Sequence, residues 1–335
     1  MQHEFFELGD VTLQKGGVIP DAEIGYVTLG ELNAARDNVV VCPTWFTASP
    51  SDVAFWMTGP DRALDPERYF IVAPAHFGAG VSSSPSNTPS PFDRGRFPHV
   101  TTYDNVAAQH RLLTEQLGVE RIRLVTSWSM GACQSYAWAA LYPEMVRALA
   151  PISGSARTAN FNRVFLAGNI RAITSDPDWN DGFYGDKPPV RGIRTMAAIY
   201  AGWGFPEPFY REEQFRAFGA STPEEFIDQF WEPFYLKNDA NDLLAQMWTW
   251  KHNDVGDHPN FGGDFAAALG AISARTIILN ASTDAYFPPG DSDREAAGIA
   301  RGESRPIPTS WGHMAPFNPT DQKFIDTALR ELLAD

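Results

Sequence analysis

Arg121-Ile122-Arg123-Leu124-Val125-Thr126-Ser127-Trp128-Ser129-Met130-Gly131-Ala132-Cys133-Gln134-Ser135-Tyr136 is the stretch on which the fold turns. Ile122, Leu124 and Val125 read as a buried strand, and Ala132 to Leu141 is rich in good helix formers. Between them, Ser129 occupies a small-x-Ser-x-Gly turn, a near match to the Gly-x-Ser-x-Gly nucleophile elbow. A serine there sits on a sharp strand-to-helix turn, with its hydroxyl above the sheet edge. The next backbone N–H and the helix N-terminus face any negative charge that develops. Small residues are required two places before and after, because strand and helix backbones pass close together. Gly131 fits, and Ser127 stands where the first glycine is usual. Without further context the same residues describe an ordinary polar turn.

Working outward, Asn38–Cys42, Tyr69–Ala73, Ala148–Ile152 and Arg275–Leu279 are short continuous apolar runs, the pattern of strands buried on both faces. Helical patterns separate them, so the reading is an α/β fold with a mostly parallel central sheet and helices on both faces. Val11–Leu13 and Glu23–Leu29, divided by Gly16-Gly17, read as an antiparallel hairpin at the entry. Thr101 opens a helix that ends at Gly118, and Ser82 to Pro98 is a loop rich in Ser, Pro and Asn. Residues 158–270 break the rhythm. They carry no convincing buried strand, but helical patches at Arg194–Tyr200, Glu212–Phe218, Pro223–Leu236 and Asp239–Lys251, with five of the ten tryptophans. The expected organisation is therefore a core in two parts, residues 1–157 and 271–335, interrupted by a helical lid at 158–270. A helix near Gly290–Ala300, a strand at Ser304–Pro308 and a last helix with Phe324, Ala328 and Leu332 on one side complete the chain.

The chain has 335 residues, a 44% hydrophobic fraction and a net charge of −15. That length and composition support a sizeable core, and the charge argues against nucleic acid and anionic membranes as partners. Cys42 and Cys133 are too few for a disulfide framework and read as buried thiols. No basic-then-apolar leader and no apolar run of membrane length is visible, so a cytoplasmic location is expected.

A nucleophilic serine needs a base and an acid. In α/β-hydrolases they follow it in the order serine, acid, histidine, each in a loop after a strand. Asp284 follows the Ile277–Leu279 strand, and His313 follows Arg305–Pro308. Ser129, Asp284 and His313 are thus the expected triad. The oxyanion hole is expected from the N–H of Met130 and one from the loop after the Val39–Cys42 strand, with Trp45 preferred over Thr44. Thr44, Trp128, Trp203 and Trp311 are candidate pocket residues, since an aromatic-walled, apolar pocket is implied, although core packing would account for the tryptophans equally well. Asp291 and Asp293 fit a helix's first turn, and His110 fits a packed helix face. His252, Asp254, Asp257 and His258 match no zinc spacing, so neither a metal nor a cofactor is expected.

The chain as a whole resembles the homoserine O-acetyltransferase family of α/β-hydrolases. Ala63–Val72, Phe97–Asp104, the elbow, Trp138–Pro143, Ile152–Arg157, Asp284–Pro289 and Gly312-His313 carry the likeness. The resemblance implies a hydrolase sheet with a helical lid, often paired into a homodimer through that lid. It also implies acyl chemistry on serine. The departures fall in the acceptor site. The family's elbow is typically Gly-Gly-Ser-Met-Gly-Gly, and its oxyanion loop begins with His where this chain has Pro43. Its Ala-Arg-Met segment and following Thr-Tyr-Arg correspond to Arg194-Thr195-Met196 and Ala201-Gly202-Trp203. Homoserine is therefore not the expected acceptor. Hydrolysis of a carboxylic ester or related acyl bond of a small molecule is the favoured reading. The alternatives are an O-acyltransferase using acyl-CoA as co-substrate and a noncatalytic binding protein that keeps the fold.

Overall fold

Runs of fully buried β-branched and apolar residues form the middle of an eight-stranded sheet in a computed structural model that describes residues 1–334. In chain order the strands are β1 (Glu4–Thr12), β2 (Val18–Leu29), β3 (Val39–Val41), β4 (Phe70–Pro74), β5 (Leu124–Trp128), β6 (Ala148–Ile152), β7 (Arg275–Ile278) and β8 (Gly302–Ser304). Their order across the sheet is β1-β2-β4-β3-β5-β6-β7-β8. β1 pairs antiparallel with β2, and β2 with β4; every later pairing is parallel. β3 and β5 have no exposed residue, as expected of strands covered on both faces. The β1–β2 connection turns at Gly16 and Gly17, whose φ of 89° and 92° suits glycine.

The helices are α1 (Pro50–Met57), α2 (Thr102–Arg111), α3 (Met130–Leu141), α4 (Asn160–Thr174), α5 (Val190–Gly204), α6 (Glu207–Arg211), α7 (Pro223–Phe226), α8 (Glu232–Leu236), α9 (Ala240–Lys251), α10 (Phe265–Gly270), α11 (Pro289–Gly298) and α12 (Pro319–Ala334). Capping boxes start α1 at Ser49 and α2 at Thr101, where the side chain of the third helical residue returns to the cap N–H. The last turn of α2 widens into a π-helical turn, Leu112–Gln116, before Gly118. Among the described residues no helix is long and apolar enough to cross a membrane.

Three apolar clusters hold these elements. Two pack on opposite faces of the sheet, one around Val41, Val125 and Trp138, the other around Val40, Leu124, Ile277 and α12. The third belongs to α4–α9, and it reaches Phe46, Met130 and Cys133 at the end of the sheet. α4 to α10 lie between β6 and β7, and no strand occurs among the described residues there. The stem of this excursion is tied at its base: Thr158 N–H donates to Asn253 O at 2.9 Å and its hydroxyl to Trp250 O at 2.5 Å.

Some local expectations shift. The strand expected at Ser304–Pro308 lies earlier, at Gly302–Ser304, with Ile307 making only an isolated bridge to Ala281. Pro306 and Pro308 lack the N–H that a continued ladder needs. The patch at Glu212–Phe218 is a 3₁₀ turn, Gln214–Phe218, rather than an α-helix. Cys42 and Cys133 are free and buried, and burial pushes the Cys133 thiol up to about 12.

Candidate active site

All the parallel strands deliver their carboxyl ends to one edge, where open α/β sheets place their sites. Ser129 follows β5 directly and caps α3 with φ 58° and ψ −126°, a backbone conformation that L-residues rarely adopt. The turn is held by close packing. A Cβ on Gly131 would overlap Ser127 Oγ and Pro43 O, and one on Gly154 would overlap Ala132 Cβ. Ser127 puts its hydroxyl to use: it donates to Pro43 O at 2.6 Å, joining the elbow to the loop after β3.

Asp284 follows β7 and His313 follows β8. His313 Nε2 lies 2.9 Å from Ser129 Oγ, and His313 Nδ1 lies 2.9 Å from Asp284 Oδ2. Asp284 Oδ1 accepts from the N–H groups of Tyr286 at 2.8 Å and Phe287 at 3.1 Å. The carboxylate is thereby aimed, and with Asp284 accepting from Nδ1–H, Nε2 is left to accept the serine proton. Ser129, Asp284 and His313 are all at most 5% exposed, so the relay works away from bulk water. Trp128 Nε1 donates to His313 O at 2.9 Å, and its ring lies 4.7 Å from the imidazole. Tyr286 meets the same imidazole edge-on at 4.6 Å. The histidine is therefore gripped through backbone and ring by the elbow's own neighbour.

The loop after β3 is where the second donor is expected. The Trp45 N–H has no hydrogen-bond partner among the described residues, and Trp45 and Ser129 line one cavity. Met130, the first residue of α3, offers one of the N–H groups that the helix leaves without an internal acceptor. Thr44 is corrected on both of its assignments. Its N–H donates to Pro74 O at 3.1 Å, so it is not free for an oxyanion, and the residue is buried behind the cavity. There its hydroxyl lies 2.7 Å from His76 Nδ1, and its carbonyl accepts from Gln134 Nε2 at 2.8 Å. His76 Nε2 in turn faces Gln246 Oε1 at 3.3 Å, which also accepts from Thr47 N–H at 2.7 Å. Burial drives the His76 pKa down to about 4, so the ring is neutral at ordinary pH. This network pins the residues on either side of Trp45. Nothing in the sequence signals it, since its members, Thr44 with Thr47, His76, Gln134 and Gln246, come from four separated segments.

The cavity over Ser129 is small, about 60 Å³, and its wall is aromatic: Phe46, Tyr200, Trp231, Tyr235, Trp250 and Tyr286. Trp128 lines it as expected. Trp203 does not; it stands behind the wall against Phe165 and Tyr286. Trp311 faces instead a neighbouring chamber of about 290 Å³, its Nε1 donating to Gln214 Oε1 at 2.7 Å. Tyr286 is two residues from Asp284, so its place in the site follows from the triad. The wall residues of α5, α8 and α9 carry no signal in the sequence beyond aromatic content. The other polar groups have structural partners: Asp254 with Arg157, Asp257 with Lys15, Asp291 with Arg294, and His110 stacked on Tyr142. Among the described residues no group of three His, Cys, Asp or Glu side chains is set to hold a metal.

Comparison with known proteins places the chain among α/β-hydrolases. Residues 37–318 match the family model described as alpha/beta hydrolase fold. An ethyl acetate hydrolase of Pseudomonas veronii is 35% identical over 334 residues, covering 99% of this chain and 95% of its own length. The crystal structure of an acetylester hydrolase from Corynebacterium glutamicum superposes with a TM-score of 0.96 at 34% identity, covering 100% of this chain and 96% of the other. A homoserine O-acetyltransferase of Thermobifida fusca is 32% identical over 96% of this chain and 91% of its own length.

Proposed function

The chain belongs to the α/β-hydrolase fold family, as a divergent relative of its homoserine O-acetyltransferases, and on that premise we propose that it is a serine esterase for small acyl esters. The observation that carries the reading is the unbroken Asp284–His313–Ser129 relay, 2.9 Å at each link, beside the free Trp45 N–H. Ser129 Oγ attacks the ester carbonyl while His313 Nε2 takes its proton. Asp284 holds the imidazole and stabilises the imidazolium. Trp45 and Met130 N–H stabilise the tetrahedral oxyanion, one such donor contributing ~3 kcal/mol. His313 then gives its proton to the departing alkoxide, the acyl-serine forms, and water attacks it by the same steps in reverse. The helical segment 158–270 acts as a lid, supplying most of the aromatic wall that keeps bulk water off the relay.

Two observations favour water over an acyl-CoA/acceptor pair. A cavity of only about 60 Å³ suits a short acyl chain. The outer chamber that a CoA donor would cross is lined by a single cation, Lys237, and by Asp52. Phosphates call for clustered basic groups. Incubation with a fluorophosphonate probe tests the nucleophile. Stoichiometric labelling is expected, and Ser129→Ala should abolish both labelling and ethyl acetate hydrolysis, with kcat down by about 10³ or more. Equal labelling of the variant would refute the assignment. CoA release from acetyl-CoA that depends on an added alcohol would favour the transferase instead.

Pairing of two copies through the lid is proposed with it. α4 bears Phe161 and Val164, which are 57% and 68% exposed, an apolar face of the kind that marks protein contacts.

A further inference from the structure

The cavity over Ser129 does not end at a wall on every side. Trp45, Trp128, Phe230, Phe234 and Met314 line both it and the larger chamber of about 290 Å³. The inner end is shut: Phe46, Tyr200, Tyr235 and Trp250 are buried, with Phe46 stacked on Tyr200 at 5.8 Å and Tyr200 4.7 Å from Tyr235. The outer chamber is bordered by Trp311 and Met314, which flank His313 in the chain, while the imidazole itself lines the inner cavity.

The two halves of an ester must part on these two sides. The group that leaves with the proton from His313 Nε2 departs on the histidine's side, and the group kept on Ser129 stays in the inner cavity. Resting on the esterase reading, we propose that the outer chamber is an alcohol subsite built for a bulky, uncharged, arylalkyl alcohol. Its walls present Phe205, Phe218, Phe230, Phe234 and Trp311, ring contacts that favour an aromatic guest over a plain alkyl chain. Its charged residues do not invite an ionic one. Lys237 Nζ lies over the Phe234 ring at 4.6 Å, and the Asp52 carboxylate is engaged by the N–H and hydroxyl of Ser49. The reaction is ordinary hydrolysis: water supplies hydroxyl to the acyl carbon, and the arylalkyl alcohol leaves with the proton.

Two readouts test this. In the first, 2-phenylethanol is titrated into Ser129→Ala protein and tryptophan fluorescence is followed, since Trp45, Trp56, Trp128 and Trp311 line the chamber. Saturable quenching is expected, weakened about tenfold by Phe218→Ala. Phe218 is 37% exposed at the rim, so its truncation should leave the fold intact; Phe234→Ala, at 36%, serves as a second variant. In the second, kcat/KM is compared for ethyl acetate and 2-phenylethyl acetate. The aromatic ester is expected to be favoured about tenfold or more in the wild type, and Phe218→Ala should remove most of that preference. Absence of saturable binding, or equal kcat/KM for the two esters, would overturn the subsite. Binding of the alcohol with no turnover of either ester would support the subsite while removing the esterase reading.

Discussion

Position 127 carries a hydroxyl where the elbow usually has glycine, and that hydroxyl bonds the carbonyl that leads into the Trp45 loop. The substitution couples two parts that must stay in register: the proposed nucleophile and its proposed oxyanion donor. Ser127→Ala should leave Pro43 O without its buried donor, at a stability cost of about 1–3 kcal/mol. A looser Trp45 N–H should lower kcat on ethyl acetate by roughly tenfold with KM little changed, because the interaction is made chiefly in the transition state. Steady-state kinetics of the variant would decide it, and a change in KM alone would contradict the role. Ser129, Asp284 and His313 are legible in the sequence because each follows a strand in the chain order that the fold imposes. Thr44 misleads because its loop position does not reveal that its N–H is taken by Pro74 O. The walls Tyr200, Tyr235 and Trp250 are illegible for a related reason. An aromatic on a helix is core or pocket according to how that helix folds back.

Among the elements, α11 reaches the elbow from outside. Glu295 Oε1 accepts from Ala156 N–H at 2.8 Å, in the loop that follows β6 and lies beside Gly154 and the first turn of α3. Complete burial pushes this carboxyl from 4.5 up to about 8. Between those values the folded protein holds a proton that the unfolded chain has released. The contribution of Glu295 is therefore fully present below pH 4.5 and is lost as pH rises through about 8. Glu295→Gln keeps the accepting oxygen without the charge. Its melting temperature should fall less than the wild type's between pH 5 and 9, the gap growing towards alkaline pH. Parallel slopes in thermal melts would contradict this. The buried strands are legible because a short apolar run bounded by turns has little else it can form in a folded chain. β8 is displaced from its expected place because apolarity extends into residues whose prolines cannot pair. α4 lies outside the helical patches expected from the sequence; its exposed side carries Phe161 and Val164.

For the whole molecule, the exposed Phe161 and Val164 set an expectation of assembly. Val164→Asp should turn a dimer into a monomer in light scattering after size exclusion, with little effect on the melting temperature of the monomer. A wild type that is monomeric at micromolar concentration would remove the lid-pairing proposal. The stem of the helical excursion carries a different consequence. The two ends of the helical excursion meet at Thr158 and Asn253, where Thr158 N–H donates to Asn253 O and its hydroxyl to Trp250 O, beside Val255 N–H donating to Ala156 O and the Arg157–Asp254 pair. Tyr200, Trp231, Tyr235 and Trp250 all fall between Thr158 and Asn253, whereas Ser129, Asp284 and His313 all fall outside. The proposed reactive centre and much of the aromatic wall are thus written in separable lengths of chain, with Phe46, Tyr286 and Trp311 as wall residues that stay with the reactive centre. Recombination at the two stem residues would exchange much of that wall without rewriting the proposed reactive centre, a route by which one ancestor could diversify into many specificities while its chemistry stood still.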